Sequence, residues 1–462
     1  MPTDIHMADC ITALHAELPG RVFTDQAVLA EHAKDSAHHA PQPPDAVVTP
    51  ESTDEVRRAV VTCQKHRVPI IPFGTGTAVE GGVVAVRGGI SIDVQQMKEI
   101  KRLSVPDMDV TVAAGVTRLQ LNQYLEEQGT GLHFPVDPGA DASLGGMAAT
   151  RASGTAAVSY GTMRENVLGL EVVLANGDVI HTGGRSRKSS AGYDLTHLFV
   201  GSEGTLGVIT ELTLKLSPLP EEVSAAVCSF DSIDAAVAAV IDVMSRGIPV
   251  ARIELLDEIQ MDAVNRYSNL SYEIAPTLFF EFQGSKATVV EHAERTQTIL
   301  HQHGVNNFQW ASGTGERDRL WEARHNGYYA TIGLREGSIG YVTDVCVPVS
   351  QLAECIRRTK KDTAGCSVPA PLFGHVGDGN FHVVFPIMPG DAAELDEVRS
   401  MSRKIIDHAL ALGGTCTGEH GIGIGKIDAL RREHGPAVDV MRSIKTALDP
   451  HGIMNPGKLF NE

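Results

Sequence analysis

Pro72-Phe-Gly-Thr-Gly-Thr-Ala-Val-Glu-Gly-Gly82 follows a short run rich in Val and Ile and sets four glycines in eleven residues. Glycine leaves backbone amides open to an approaching phosphate, so a loop of this kind after a strand predicts an anion or cofactor cradle. Its spacing excludes the two commonest phosphate loops. A dinucleotide fingerprint needs glycine three residues after Gly76, where Val79 stands, and a Walker loop needs lysine after Gly81, where Gly82 stands. Further clusters follow: Asp137-Pro-Gly-Ala-Asp-Ala-Ser-Leu-Gly-Gly146, Arg151-Ala-Ser-Gly154 and Val200-Gly-Ser-Glu-Gly-Thr-Leu-Gly-Val-Ile209. Turns alone do not require so many.

Outward from these loops, Val- and Ile-rich runs (Val68 to Pro72, Gly89 to Asp93, Val110 to Ala114) alternate with helical patterns over Glu55 to His66 and Arg118 to Gln128. Leu216-Ser-Pro-Leu-Pro220 marks a boundary. Beyond it, Ser229 to Arg246 and Lys286 to His303 read as helices and Pro276 to Phe282 and Gly340 to Val347 as strands, a pattern of helices packed on an antiparallel sheet. Before residue 40, Ile11, Leu14 and Leu18 fall at helical spacing, and a proline-rich link, Ala40 to Pro44, separates them from the rest. The expected class is α+β, divided into an N-terminal helical segment (1–40), a glycine-rich domain (41–218), a second domain (219–450) and a C-terminal segment (451–462).

At 462 residues the chain can bury more than one core. A formal charge of -18 with no compensating basic cluster excludes a nucleic-acid surface. An anionic substrate therefore needs a locally positive site. No apolar run approaches a membrane span, which predicts no integral membrane segment, and Met1 to Asp4 has neither region of a signal peptide. The expected location is cytoplasmic, peripheral to a membrane at most. Seven scattered cysteines without a Cys-x-x-Cys pair are expected to be reduced.

The second chemical feature is His375-Val-Gly-Asp-Gly-Asn-Phe-His382, with Gly418-Glu419-His420-Gly421 about forty residues on. On a helix the two histidines would lie about 10 Å apart, and on one straight strand they would face opposite ways. A reversal at Gly377 to Asn380 instead brings them face to face from the arms of a hairpin. Two imidazoles and a carboxylate leave positions open on a divalent ion, as a catalytic site needs, with a base beside it. Zinc suits the ligands, and manganese, iron or cobalt remain open. Gly421-Ile-Gly-Ile-Gly-Lys426 has the wrong spacing for phosphate and reads as a tight packing segment.

The glycine-rich half resembles the flavin-binding domain of the vanillyl-alcohol oxidase superfamily, the PCMH-type fold, in which FAD lies between two lobes. The resemblance implies FAD contacts at Pro72, Gly74, Thr75, Gly76, Thr77, Gly81, Pro138, Gly139, Leu144, Gly145, Gly146, Ser153, Gly154, Glu203, Gly204 and Ile209. The first loop holds neither histidine nor cysteine, so the FAD is expected to be non-covalent. The remainder resembles the FAD-linked D-2-hydroxyacid dehydrogenases, and within them the D-lactate dehydrogenases that use cytochrome or another non-nicotinamide acceptor. The motifs are Leu320-Trp-Glu-Ala-Arg-His-Asn326, Gly340-Tyr-Val-Thr-Asp-Val-Cys-Val-Pro348, Gly374 to His382, Gly414 to Gly423 and Met454-Asn-Pro-Gly-Lys458.

This second resemblance implies that His375, His382 and Glu419 bind zinc or manganese, that His420 is the catalytic base, that Arg324 holds the substrate carboxylate, and that Asn455 returns to the flavin. On the residues alone, a surface ion pair stays open for Arg324 and a plain turn for Asn455. Val342 and Val384 stand where relatives acting on 2-hydroxyglutarate carry polar residues, which disfavours a dicarboxylate. The expected reaction is oxidation of D-lactate to pyruvate, with electrons leaving to cytochrome, quinone or electron-transfer flavoprotein. Glycolate or D-2-hydroxyglutarate are alternative substrates for the same chemistry. A non-catalytic flavin- or metal-binding subunit of an electron-transfer complex is the alternative of another class. A nicotinamide dehydrogenase with structural zinc lacks its fingerprint and its cysteines.

Overall fold

A computed structural model describes residues 4–461. The chain forms two compact units, Met1–Gly154 with Gly161–Leu219 and Glu419–Glu462, and Thr155–Tyr160 with Pro220–Gly418.

Besides the two-stranded pair of Leu132–His133 with Ser217–Pro218, the described residues of the first unit form two larger sheets. Val22–Phe23, Ala46–Val48, Ile90–Asp93 and Ile70–Phe73 form one, in that spatial order, with the last three parallel. Ile100–Ser104, Asp109–Ala113, Val208–Lys215, Val167–Val173 and Val179–Gly183 form the other, wholly antiparallel. The helix Thr53–His66 shows why its sequence folds so. Ser52 accepts from the Glu55 amide, Asp54 and Glu55 sit at the positive end of the helix dipole, and Lys65 and His66 sit at the negative end. Val56, Ala59, Val60 and Cys63, at helical spacing, form its buried face.

The structure differs here from the division expected at the N-terminus. Cys10, Leu14 and Leu18 pack in the same core as Val56 and Val60, and Val22–Phe23 supplies an edge strand. Helical periodicity reveals an apolar face but not what that face meets. Full burial of Leu14 and Leu18 contributes about 2 kcal/mol each. At the other end, the Ile70 amide donates to Ile453 and the Asn455 amide to the Ile70 carbonyl, so the final segment extends the parallel sheet.

The second unit is built on an antiparallel sheet in the order Val305–Ala311, Glu222–Phe230, Thr277–Gly284, Arg252–Leu256, Leu372–Gly374, Asn380–Ile387 and Ile339–Val342, with Val345–Cys346 also paired to Asn380–Ile387. All eight residues of Asn380–Ile387 are buried. The helices Glu258–Ser268 and Thr314–His325 lay Met261, Val264, Leu320 and Trp321 against Leu256, Phe279, Phe373 and Val384. The strand expected over Gly340 to Val347 is interrupted at Thr343 and Asp344. Both are buried and turn their polar groups inward: Thr343 Oγ1 donates to the Val383 carbonyl and Asp344 accepts from Asn380 Nδ2 at 2.7 Å. This unit ends at Gly418, whereas the sequence reading carries the second domain to residue 450.

Candidate functional site

In the first unit, glycine clusters far apart in sequence meet. A side chain on Gly74 would strike Ser143 Oγ, one on Gly154 would strike the Asp137 carbonyl, and one on Gly204 would come within 2.8 Å of the Pro72 ring. Gly76, Gly81 and Gly204 have φ of +65°, +75° and +72°, where only glycine is unstrained. Thr75 Oγ1 accepts from the Ser143 amide at 3.3 Å and lies 3.1 Å from Thr77 Oγ1. Leu144 and Gly145 are buried at the start of Leu144–Thr150, Gly146 follows them, and Ile209 is buried in Val208–Lys215. Pro138 and Ser153 are half-buried and Gly139 is exposed.

One residue that the sequence reading missed is Ser143. Its hydroxyl is buried beside the first loop and has no hydrogen-bond partner among the described residues. An orphaned buried hydroxyl costs about 1–3 kcal/mol, which a bound phosphate oxygen would offset. The cradle therefore fits a dinucleotide cofactor.

Glu203 and Asn455, also expected at the cofactor, turn their side chains to protein groups. Glu203 accepts from the Ile422 and Gly423 amides, each at 2.7 Å, and thereby fixes the turn that follows Glu419 and His420. Burial pushes its carboxyl up to about 7 despite those two amides. Asn455, at φ +40°, donates through Nδ2 to the carbonyls of Gly82 and Glu203, and Lys458 donates to its Oδ1. It ties the first and last glycine clusters together. The segment Gly421 to Lys426 packs as expected, with Ile424 against Gly81, its amide on the Glu80 carbonyl, and Lys426 3.0 Å from the Glu80 carboxylate.

In the second unit the expected hairpin forms. Phe373 pairs with His382, and the reversal is closed by Asp378 and Asn380 amides on the His375 carbonyl. The imidazole centroids of His375 and His382 lie 5.5 Å apart at 80°. His375 Nδ1 donates to Glu254 Oε1 at 2.6 Å and His382 Nδ1 to the Thr343 carbonyl at 3.1 Å. Both rings have Nδ1 on a protein acceptor, which is the orientation that metal-binding histidines take. The donor set fits a divalent cation.

Arg324 donates through Nε to Glu254 Oε2 at 2.6 Å and lies over the Phe373 ring at 5.1 Å. It is an ion pair, but a largely buried one beside the histidines. Burial alone would raise the Glu254 carboxyl, yet the adjoining His375 and Arg324 hold it below the ordinary carboxylate range. Asp344 accepts from Thr417 Oγ1 at 2.7 Å and the Gly418 amide at 2.8 Å, while its other oxygen lies 3.7 Å from His382 Nδ1. The chain is therefore pinned beside His382 one residue before Glu419. In the first unit, His420 Nε2 stands 3.4 Å from Glu419 Oε1. Val342 and Val384 are direct cross-strand partners, and Val384 is two residues along the same strand from His382. Glu254 and Asp344 were not singled out from sequence. Glu254 carried the one available signal, a charge inside the apolar stretch Ile253-Glu-Leu-Leu256.

No helix among the described residues is long and apolar enough to cross a membrane. Comparison with known proteins gives two family matches: "FAD binding domain" over residues 44–183 and "FAD linked oxidases, C-terminal domain" over 219–459. A Danio rerio protein named "Probable D-lactate dehydrogenase, mitochondrial" is 51% identical over 95% of this chain and 89% of its own length. The Arabidopsis thaliana "D-lactate dehydrogenase [cytochrome], mitochondrial" is 45% identical over 98% of this chain and 80% of its own. Among solved structures, 4-ethylphenol oxidase from Gulosibacter chungangensis superposes with a TM-score of 0.83 over 99% of this chain and 98% of that one, at 19% identity, which shows the shared PCMH-type fold.

These names correct the cytoplasmic location expected from sequence, because both relatives are mitochondrial. Net charge and a few initial residues carry no physical information about compartment. Matched over both units by these profiles and relatives, the chain belongs to the FAD-linked oxidases.

Proposed function

We propose that the protein oxidises a D-2-hydroxy acid, D-lactate foremost, to its 2-keto acid, and passes the electrons to a non-nicotinamide acceptor of the cytochrome kind. The observation that carries the reading is the pair His375 and His382, each with Nδ1 anchored, beside Arg324 in a chain 51% identical to a D-lactate dehydrogenase. FAD, when bound, accepts the hydride equivalent lost from C2. It would be held by the loops around Gly74 to Thr77, Gly81, Ser143 to Gly146, Ser153, Gly154 and Gly204.

His375, His382 and Glu419 would hold a divalent cation, zinc or manganese. Such an ion lowers the pKa of a coordinated hydroxyl and fixes its carbon. Support comes from the anchored imidazoles and from the bond between Asp344 and Gly418, which brings the backbone beside His382 one residue before Glu419. Arg324 uses Nε for Glu254, so its Nη pair is what a substrate carboxylate would meet. His420 takes the hydroxyl proton as general base. Val342 and Val384, apolar cross-strand partners beside His382, offer a second carboxylate neither a cation nor a donor.

Anaerobic addition of D-lactate, glycolate and D-2-hydroxyglutarate to the yellow protein tests the reading. Rapid bleaching by D-lactate is expected, with efficiency at least tenfold above D-2-hydroxyglutarate. Absence of bleaching by all three would refute catalysis and favour a non-catalytic flavin subunit.

A further inference from the structure

Resting on the function just proposed, we infer that Glu254 is a positioning residue that sets the metal grip and the substrate grip together. Its side chain is wholly buried on the strand Arg252–Leu256, opposite Phe279. One carboxylate oxygen accepts from His375 Nδ1 and the other from Arg324 Nε, both at 2.6 Å. The three residues come from a strand, a turn 121 positions away and a helix 70 positions away.

The bond to His375 selects the tautomer with its proton on Nδ1, which leaves the Nε2 lone pair to act as ligand. The bond to Arg324 fixes the plane of the guanidinium and so the direction of its Nη pair. A rotation of Glu254 would misdirect both. Burying a carboxylate in an apolar strand is expensive, and a hydrophobic residue would suit stability as well or better. A role in positioning accounts for acid at this place. Glutamine keeps the shape but has one acceptor oxygen in place of two, so it can satisfy only one partner.

The test uses FAD-loaded protein stripped of metal and titrated with zinc or manganese against a competing chelator, followed by kinetics at saturating metal. His375→Ala should abolish tight binding. Glu254→Gln should weaken it by about 10- to 100-fold, while Arg324→Gln should stay within about threefold of wild type. At saturating metal, Glu254→Gln should still raise KM for D-lactate about tenfold, and Glu254→Gln with Arg324→Gln should raise it no further than Arg324→Gln alone. Wild-type metal affinity in Glu254→Gln, or KM effects that multiply in the double variant, would overturn the inference. Should Glu254→Gln fail to retain FAD, Glu254→Asp, which keeps the charge but is one methylene too short to reach both partners, must show the same two losses in lesser degree. A wild type that binds neither ion removes the metal reading itself and with it the His375 half. The KM comparison then decides the Arg324 half alone.

Discussion

Gly379→Ala is expected to damage the histidine hairpin far more than its single methyl suggests. Gly379 lies in the reversal between His375 and His382 at φ +79°. An added Cβ would fall inside 3.0 Å of the Val347 carbonyl oxygen and 3.2 Å from its carbon, while the Val347 amide donates to the Gly379 carbonyl at 3.0 Å. The obstruction is backbone on a buried strand end and cannot swing aside. Left-handed strain costs about 1–2 kcal/mol, and forcing the two segments apart adds about 1–3 kcal/mol. Together these give about 2–5 kcal/mol, or roughly 10 °C in the melting temperature of a unit of about 200 residues. Gly390→Ala is the control, because its φ is +83° with nothing within 4 Å of the added carbon. It should lose only the strain, about 4 °C. Both tryptophans, Trp310 and Trp321, lie in this unit, so intrinsic fluorescence follows its unfolding selectively. Equal shifts in the two variants would refute the close approach of Gly379 to Val347 and the hairpin geometry built on it.

His420→Gln should slow flavin reduction by D-lactate about 100-fold or more with normal metal content, as loss of a general base does; a rate within threefold of wild type would remove it from that role. Burial pulls the Lys458 ammonium down to about 8 from 10.5. Below pH 8 both native and unfolded chains hold this proton. Between 8 and 10.5 the native chain binds fewer protons, so Lys458 makes stability rise with pH by about 3 kcal/mol across that window. Subtracting the Lys458→Met profile, with melting read by FAD release, should expose this slope. Identical pH profiles would contradict the burial of a lysine that donates to Val84 and Asn455.

What was legible in the sequence is what depends on neighbours along the chain. The reversal between His375 and His382 followed from Gly377 to Asn380, and the glycine clusters announced a cradle through their number. Partners brought by the fold from far away were not legible. Glu254 meets His375 across 121 residues, and Ser143 meets the first loop across 68. Glu203 and Asn455 were recognised as special, but their polar groups turn to Ile422, Gly423, Gly82 and Lys458. A motif marks a residue as constrained without saying by what. Cys10, Leu14 and Leu18 make the same point for packing, since the proline-rich link concealed their place in the first core.

The most direct measurement is anaerobic single-turnover reduction of the bound flavin by D-lactate in metal-free protein and in the same protein reloaded with zinc or manganese. Bleaching should be slow without metal and restored by reloading, and in His375→Ala reloading should restore nothing. Full-rate bleaching in protein shown to be free of metal would contradict the proposed coordination by His375, His382 and Glu419.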